Sequence, residues 1–199
     1  MKTDQDILDR ALSKQAEFDK KAQITLVGHS LFDMWSDMEQ GTPNIAGKTV
    51  ANLGLSGTST RQYLDVIVKG NLIKQLGEDV FIFLGVNDIV KEPDYSPKQV
   101  LDWINEIVSA FKALAPTSRY YLLEATPVNN IATTDNPAIL ALNQYLEAHC
   151  PADICYVKTW NAFANEEGKL DLNLCHDGLH FTQQGYDVLE QILLKQLGA

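Results

Sequence analysis

Five short apolar runs, each separated from the next by a stretch of helical periodicity, constrain this chain more than any other feature of its sequence. Ile24–Val27, Thr49–Leu53, Val80–Leu84, Tyr120–Leu123 and Ile154–Val157 are rich in β-branched, aliphatic and aromatic residues, as buried strands are. Val80–Leu84 contains no polar residue, which asks for cover on both faces. Helical spacing follows in Leu31–Met38, Ser59–Leu76, Pro97–Leu114, Pro137–His149 and Thr182–Leu197. In Pro97–Leu114 the apolar face is Val100, Leu101, Ile104, Ile107, Val108, Phe111 and Leu114, with Pro97 at a favourable first position. Thr182 is placed to cap the last helix. Such alternation predicts a parallel sheet with right-handed crossovers and helices on both faces. Ahead of it, Asp4–Lys20 reads as an amphipathic helix with Ile7, Leu8, Ala11, Leu12 and Phe18 inward. Residues 1–21 are expected to pack on a single domain spanning 1–199, because no repeat, low-complexity tract or linker divides the chain. Gly41–Lys48, Ile89–Pro97, Glu124–Asp135 and Gly168–Gly178 read as loops or irregular segments.

Charge and cysteine content narrow the function classes. A formal net charge of −10 without a basic stripe argues against nucleic-acid partners and against anionic lipid. No apolar stretch is long enough to span a bilayer, so membrane insertion is not expected. Met1–Lys21 is charged throughout and lacks the apolar core of a secretory signal. Cys150, Cys155 and Cys175 cannot all pair within one chain, and their spacing fits no zinc site. They read as reduced thiols of a cytoplasmic protein. The oligomeric state is not encoded legibly.

Open α/β sheets bind ligands beyond the carboxyl ends of their strands. Just past the first strand stands Ser30, past the second Gly57 and past the third Asn87; well past the fifth come Asp177 and His180. Ser30 sits where strand yields to helix. It is placed to be a helix cap, or a nucleophile beside free amides and the positive end of a helix dipole. Asp177-Gly178-Leu179-His180 has the spacing at which a carboxylate can orient an imidazole, whose other nitrogen would take a serine proton. The Ser30 and Gly57 amides and the Asn87 side chain are candidate donors to a tetrahedral oxyanion. Each element also has an ordinary reading, since Asn-Asp and Ser-Gly are common turn dipeptides.

Taken together, Gly28-His29-Ser30-Leu31, Asn52-Leu53-Gly54-Leu55-Ser56-Gly57, Gly85-Val86-Asn87-Asp88 and Asp177-Gly178-Leu179-His180 resemble the four ordered blocks of the SGNH hydrolases, the GDSL lipase/acylhydrolase family. The resemblance implies Ser30 as nucleophile, Asp177 and His180 as its triad partners, and Gly57 and Asn87 in the oxyanion hole. It implies a three-layer α/β/α, flavodoxin-like fold with strand order 2-1-3-4-5, and hydrolysis of esters or thioesters without a cofactor. Two positions depart from the family pattern. His29 stands where the family usually has Asp, and Phe181 where it usually has Pro. An imidazole at position 29 is expected to titrate near neutrality and so to colour the pH profile.

The expected activity is therefore that of a serine esterase acting on small-molecule esters with short or O-acetyl acyl groups. Loops Ile89–Ser96 and Thr126–Asp135 are expected to shape the pocket, with Trp35, Tyr95 and Phe181 as apolar contacts. Two alternatives belong to other classes. One is a non-catalytic ligand-binding protein of the same fold. The other is a metal-dependent hydrolase using His176 and His180, which stand four apart as helical zinc ligands do. A Gly-x-Ser-x-Gly nucleophile elbow is ruled out by Phe32.

Overall fold

The computed structural model describes residues 1–198. Five parallel strands form one sheet in the order β2-β1-β3-β4-β5. They are β1 (Ile24–Gly28), β2 (Val50–Gly54), β3 (Asp79–Phe83), β4 (Arg119–Leu123) and β5 (Ile154–Val157). The helices are α1 (Asp4–Ser13), α2 (Gln15–Phe18), α3 (Ser30–Asp33), α4 (Thr60–Gln62), α5 (Asp88–Lys91), α6 (Pro97–Leu114), α7 (Asn136–His149), α8 (Trp160–Phe163) and α9 (Gln183–Leu197). This is the three-layer α/β/α arrangement and strand order expected of the SGNH fold.

The two-residue period of a strand explains the layers. On β1, Ile24 and Leu26 face one side and Val27 the other; on β3, Phe81 and Phe83 face one side and Val80 and Ile82 the other. The first face is covered by α3, α9 and the aromatic group Trp35, Phe163, Phe181 and Tyr186. The second is covered by α1, the π-helical turn Tyr63–Val68, α6 and α7 through Ile7, Ala11, Leu64, Ile104, Ile107, Phe111, Leu142 and Leu146. Both faces of β3 are thus dry, as its apolar run requires. Ser96 caps α6 by accepting from the Gln99 amide, and Thr182 caps α9 by accepting from the Gly185 amide.

The structure corrects several sequence expectations. The N-terminal helix breaks at Lys14, whose side chain turns inward while Leu12 is exposed. A buried lysine is not legible as a core residue until its partner is known. The expected helix over 59–76 ends much earlier: α4 passes into a π-helical turn over Tyr63–Val68, and residues 72–77 are irregular. Leu31–Met38 is helical only as α3, followed by a 3₁₀ turn over Met34–Asp37. Leu114 is exposed at the end of α6. Within the expected loop 89–97 lies α5, too short to show a periodicity. Trp35 and Phe181 are 1% exposed and belong to the core; Trp35 stacks on Tyr186 and Phe181 on Phe163.

α3 meets the sheet very closely, and Gly54 makes that approach feasible. A Cβ on Gly54 would lie 2.5 Å from the Asp33 amide nitrogen and 2.7 Å from Phe32 Cβ. Any side chain there would push α3, and Ser30 with it, away from the strand ends.

Candidate active site

The parallel register aligns Gly28 with Gly54 on one side and with Phe83 on the other. Ser30, Gly57 and Asn87 follow these aligned ends by two, three and four residues, so all three lie beyond the same sheet edge. The connections are bonded across the edge. The His29 amide donates to Phe83 O (3.2 Å), and the Leu55 amide donates to Gly28 O (2.9 Å).

Ser30 is the first residue of α3, not its cap. The cap is His29, whose Nδ1 accepts from the Leu31 amide at 3.3 Å. That bond leaves the Ser30 hydroxyl without a capping duty, and Ser30 Oγ makes no hydrogen bond among the described residues. Ser30 is 8% exposed.

His29 does not titrate near neutrality, contrary to expectation. It is 2% exposed, its ring packs 4.8 Å from that of Phe83, and Nε2 has no partner among the described residues. Burial, and secondarily the charge of neighbouring His180, push its pKa down to about 3. Nδ1 is an acceptor, so the neutral ring carries its proton on Nε2. The folded pKa lies below the unfolded one near 6.5. This contribution to stability is therefore complete above about pH 6.5 and is lost as pH falls toward 3. Between pH 7 and pH 4 the expected loss is on the order of 3 kcal/mol. His29→Asn keeps a capping side chain but cannot titrate. Its unfolding free energy, followed by denaturant titration, is expected to fall less steeply with acid than that of the wild type. Parallel curves for the two proteins would contradict this.

Asp177 and His180 occupy a tight turn. His180 Nδ1 lies 2.7 Å from Asp177 Oδ2, while Asp177 Oδ1 accepts from the amides of Leu179 (3.0 Å) and His180 (2.8 Å). Burial works to raise the Asp177 carboxyl, but the His180 amide and ring and the Leu179 amide outweigh it and hold the pKa at about 2. An ionised carboxylate can only accept, so Nδ1 carries hydrogen and Nε2 presents a lone pair. The turn is fixed from outside by Asn129, whose amide donates to Gly178 O at 2.8 Å. It is not helical: Cys175 and Phe181 bridge in antiparallel fashion, and the His176 amide donates to His180 O. The zinc-like spacing of His176 and His180 depended on a helix that Gly178 does not continue. Among the described residues no three His, Cys, Asp or Glu side chains gather as metal ligands would.

Met34, one turn after Ser30, lines a cavity of about 260 Å³ together with Asp37, Met38, His176, Asp177, His180 and Phe181. The 3₁₀ turn that follows α3 and the turn that carries His180 thus share one hollow, and Ser30 stands one helical turn before Met34 on its wall. No hydrogen bond joins Ser30 and His180 among the described residues. Such bonds are often loose before substrate binds.

The loop after β2 is held residue by residue. The Ser56 amide donates to Asp33 Oδ2 (2.8 Å), and Thr58 O accepts from Asn87 Nδ2 (2.9 Å). Asn87 uses one amide hydrogen there and keeps the other. The Asp33 carboxylate also receives Arg10 through Nε (3.1 Å) and Nη2 (2.7 Å), and Lys14 Nζ (2.9 Å). Lys14 Nζ donates in addition to Gly54 O at 2.7 Å. Burial would raise the Asp33 carboxyl, yet these donors bring it down to about 2. The sequence reading missed Asp33, Lys14 and Arg10. Their only signal was a basic pair on a helix face and an acid three residues after Ser30.

A larger cavity of about 550 Å³ lies between the 128–137 loop, Leu140, Trp160 and residues 167–169. The loop expected to shape the substrate pocket lines this cavity, which holds none of Ser30, Gly57, Asn87, Asp177 and His180. Tyr95 packs partly buried against the core.

Comparison with known proteins agrees with this architecture. Residues 24–188 match the GDSL-like lipase/acylhydrolase family. The chain is 36% identical over 187 residues to an N-acylneuraminate cytidylyltransferase of Escherichia coli; the match covers 94% of this chain but 43% of that protein. The chain thus spans less than half the length of that relative. It is 22% identical to the human platelet-activating factor acetylhydrolase IB subunit alpha2, over 89% of this chain and 79% of the relative. The crystal structure of a GDSL-like lipase from Bacteroides thetaiotaomicron superposes with a TM-score of 0.73 at 20% identity, covering 96% and 97% of the two chains.

Proposed function

Since the chain belongs to the GDSL-like lipase/acylhydrolase family, we propose that it is a serine esterase that removes short acyl groups, acetyl foremost, from small alcohols. Ser30 is the nucleophile, His180 the general base and acid, and Asp177 the orienting carboxylate. The Ser30 and Gly57 amides and the Asn87 side chain form the oxyanion hole. The observation that carries this reading is the Asp177–His180 pair, with its Nε2 lone pair unspent, in a hollow shared with Met34, one helical turn after an uncommitted serine.

In the proposed sequence the Ser30 Oγ–H bond breaks as Oγ attacks the ester carbonyl. The proton passes to His180 Nε2, and Asp177 stabilises the imidazolium. The carbonyl oxygen becomes an oxyanion facing the three donors, each worth about 3 kcal/mol of barrier. As the intermediate collapses, the C–O bond to the alcohol breaks and His180 returns the proton to the leaving oxygen. Water, deprotonated by His180, then attacks the acyl-serine; the bond from the acyl carbon to Ser30 Oγ breaks, His180 returns the proton to Oγ, and the acid leaves. The residues present suffice for every proton transfer.

Support for a short acyl group comes from the small size of the cavity that Asp177 and His180 line. A second support is the apolar cluster of Val86, Ala125, Val128 and Ile139, against which Leu179, next to His180, also packs. Val86 precedes Asn87, so a compact apolar wall stands beside the proposed donors. The human relative is named for acetyl hydrolysis and the Escherichia coli relative for a sugar acid. An O-acetyl ester of a sugar is accordingly the substrate class we favour. A p-nitrophenyl ester series run beside acetylated sugars tests this. Expected is a kcat/KM at least tenfold lower for octanoyl than for acetyl, with acetate released from the sugars; rates that rise with chain length would contradict it.

A further inference from the structure

The short helix α5 begins just after Asn87 and ends at Lys91, which places these two side chains four residues apart on one face. Both reach the loop after β2. Asn87 holds Thr58 O, and Lys91 Nζ donates to Gly57 O at 2.6 Å, to Lys2 O at 2.9 Å and to Gln62 Oε1. An ammonium has three donors, and here all three go to neutral oxygens.

This is an unusual use of a half-buried lysine, because carboxylates are close by but engaged elsewhere. Glu92 accepts from Ser59 Oγ (2.6 Å) and Arg61 Nε (2.9 Å). Asp88 accepts from the Thr60 amide and hydroxyl, and Asp4 from Arg61 and Gln62. Burial pushes the Lys91 pKa down, and Arg61 adds to this, while Glu92, Asp4 and Asp88 oppose it. The ammonium is directed at the backbone of the loop instead of at a counter-ion.

Gly57 has a φ of +77°, and without constraint it would be the freest joint in this loop. Its neighbours are fixed on both sides: Ser56 N–H by Asp33 and Thr58 O by Asn87. Among the described residues, only Lys91 hydrogen-bonds Gly57 itself. A Cβ at Gly57 would meet Lys2 Cγ at 2.9 Å, so the residue that Lys91 grips through its carbonyl also covers this glycine.

We propose that Lys91 is a positioning residue for acyl transfer: it locks the Gly57 carbonyl so that the Gly57 N–H and the free Asn87 amide hydrogen converge on one oxyanion. The inference rests on the serine-esterase reading above. It assigns Lys91 no contact with substrate.

The test is Lys91→Met in the full chain, which keeps length and removes the donors. With p-nitrophenyl acetate, kcat is expected to fall ten- to a hundredfold while KM stays within about threefold, less than the loss from deleting a hole donor outright. Lys91→Arg, which restores charge and donors, is expected to recover at least a third of the lost rate. The rate at which a fluorophosphonate labels the protein should fall in step with kcat, whereas a merely structural role would lower the melting temperature and leave both rates of the folded fraction intact. A folded Lys91→Met with wild-type kcat overturns the proposal, as does a folded Lys91→Arg as slow as Met. Should Lys91→Met not fold, Lys91→Gln carries the same expectation of reduced kcat at constant KM, and full kcat in it overturns the proposal. Ser30→Ala separates the two levels: if it still hydrolyses the ester, the esterase reading fails; if it is inactive while the Lys91 variants are fast, only the role of Lys91 fails.

Discussion

Ser30→Ala is expected to lower kcat/KM for p-nitrophenyl acetate by about four to six orders of magnitude, to a residue left by the donors alone. The same change should barely touch stability. Ser30 Oγ makes no hydrogen bond among the described residues, and the capping of α3 is done by His29, so no bond is lost. Alanine also suits a first helical position at least as well as serine. Thermal unfolding within about 0.5 kcal/mol of wild type, as for surface changes remote from special features, together with abolished hydrolysis would place the hydroxyl in chemistry and not in scaffolding. Hydrolysis within tenfold of wild type would remove Ser30 from the mechanism.

The second large effect concerns the scaffold. Asp33 is 1% exposed and binds Arg10, Lys14 and the Ser56 amide at once. Asp33→Ala would leave the Lys14 ammonium, its side chain 8% exposed, buried without a counter-ion. Removing one partner of a buried pair costs about 3–5 kcal/mol, much of it the isolated charge. Arg10→Ala is expected to cost well under that, because Arg10 is 40% exposed and solvent screens it. Denaturant midpoints distinguish the two. Equal, small losses would mean that the network is not what ties α1 and α3 to the β2 loop. The pH dependence has a definite sign. Asp33 has its carboxyl near 2 in the folded state, below the unfolded value near 4, so its contribution is present above about pH 4 and fades toward pH 2. His29 loses its contribution at higher pH, so the first acid-induced weakening belongs to the histidine.

These two residues mark what could and could not be read from the chain. The strands were legible because a fully apolar run such as Val80–Phe83 has few other uses, and β5 lies where Ile154–Val157 predicted it. Asp177 and His180 were legible as a pair because three residues of one turn suffice to join them, and their 2.7 Å contact is local. The cap on α3 was not legible. Serine is the commoner cap, and only the folded chain shows that His29 Nδ1 reaches the Leu31 amide first. Nor was the burial of His29, which depends on the Phe83 ring from a strand more than fifty residues away. Lys14 and Lys91 look like solvated helix residues until distant oxygens, those of Asp33 and Gly57, are brought to them. The helix expected over 59–76 failed for a related reason: a π-helical turn preserves an apolar face for a few residues while shifting its phase. Local pattern thus set the sheet and the Asp177–His180 turn, and tertiary contact decided which polar side chains support them.

The central claim is that the first residue of α3 is a nucleophile activated by the imidazole of His180. Its most direct test is labelling with a fluorophosphonate followed by mass spectrometry of the digested protein. A phosphonyl adduct is expected on Ser30, absent from Ser30→Ala and formed at least a thousandfold more slowly in His180→Ala. An adduct on another residue, or ester hydrolysis by a protein whose Ser30 stays unlabelled, would contradict it.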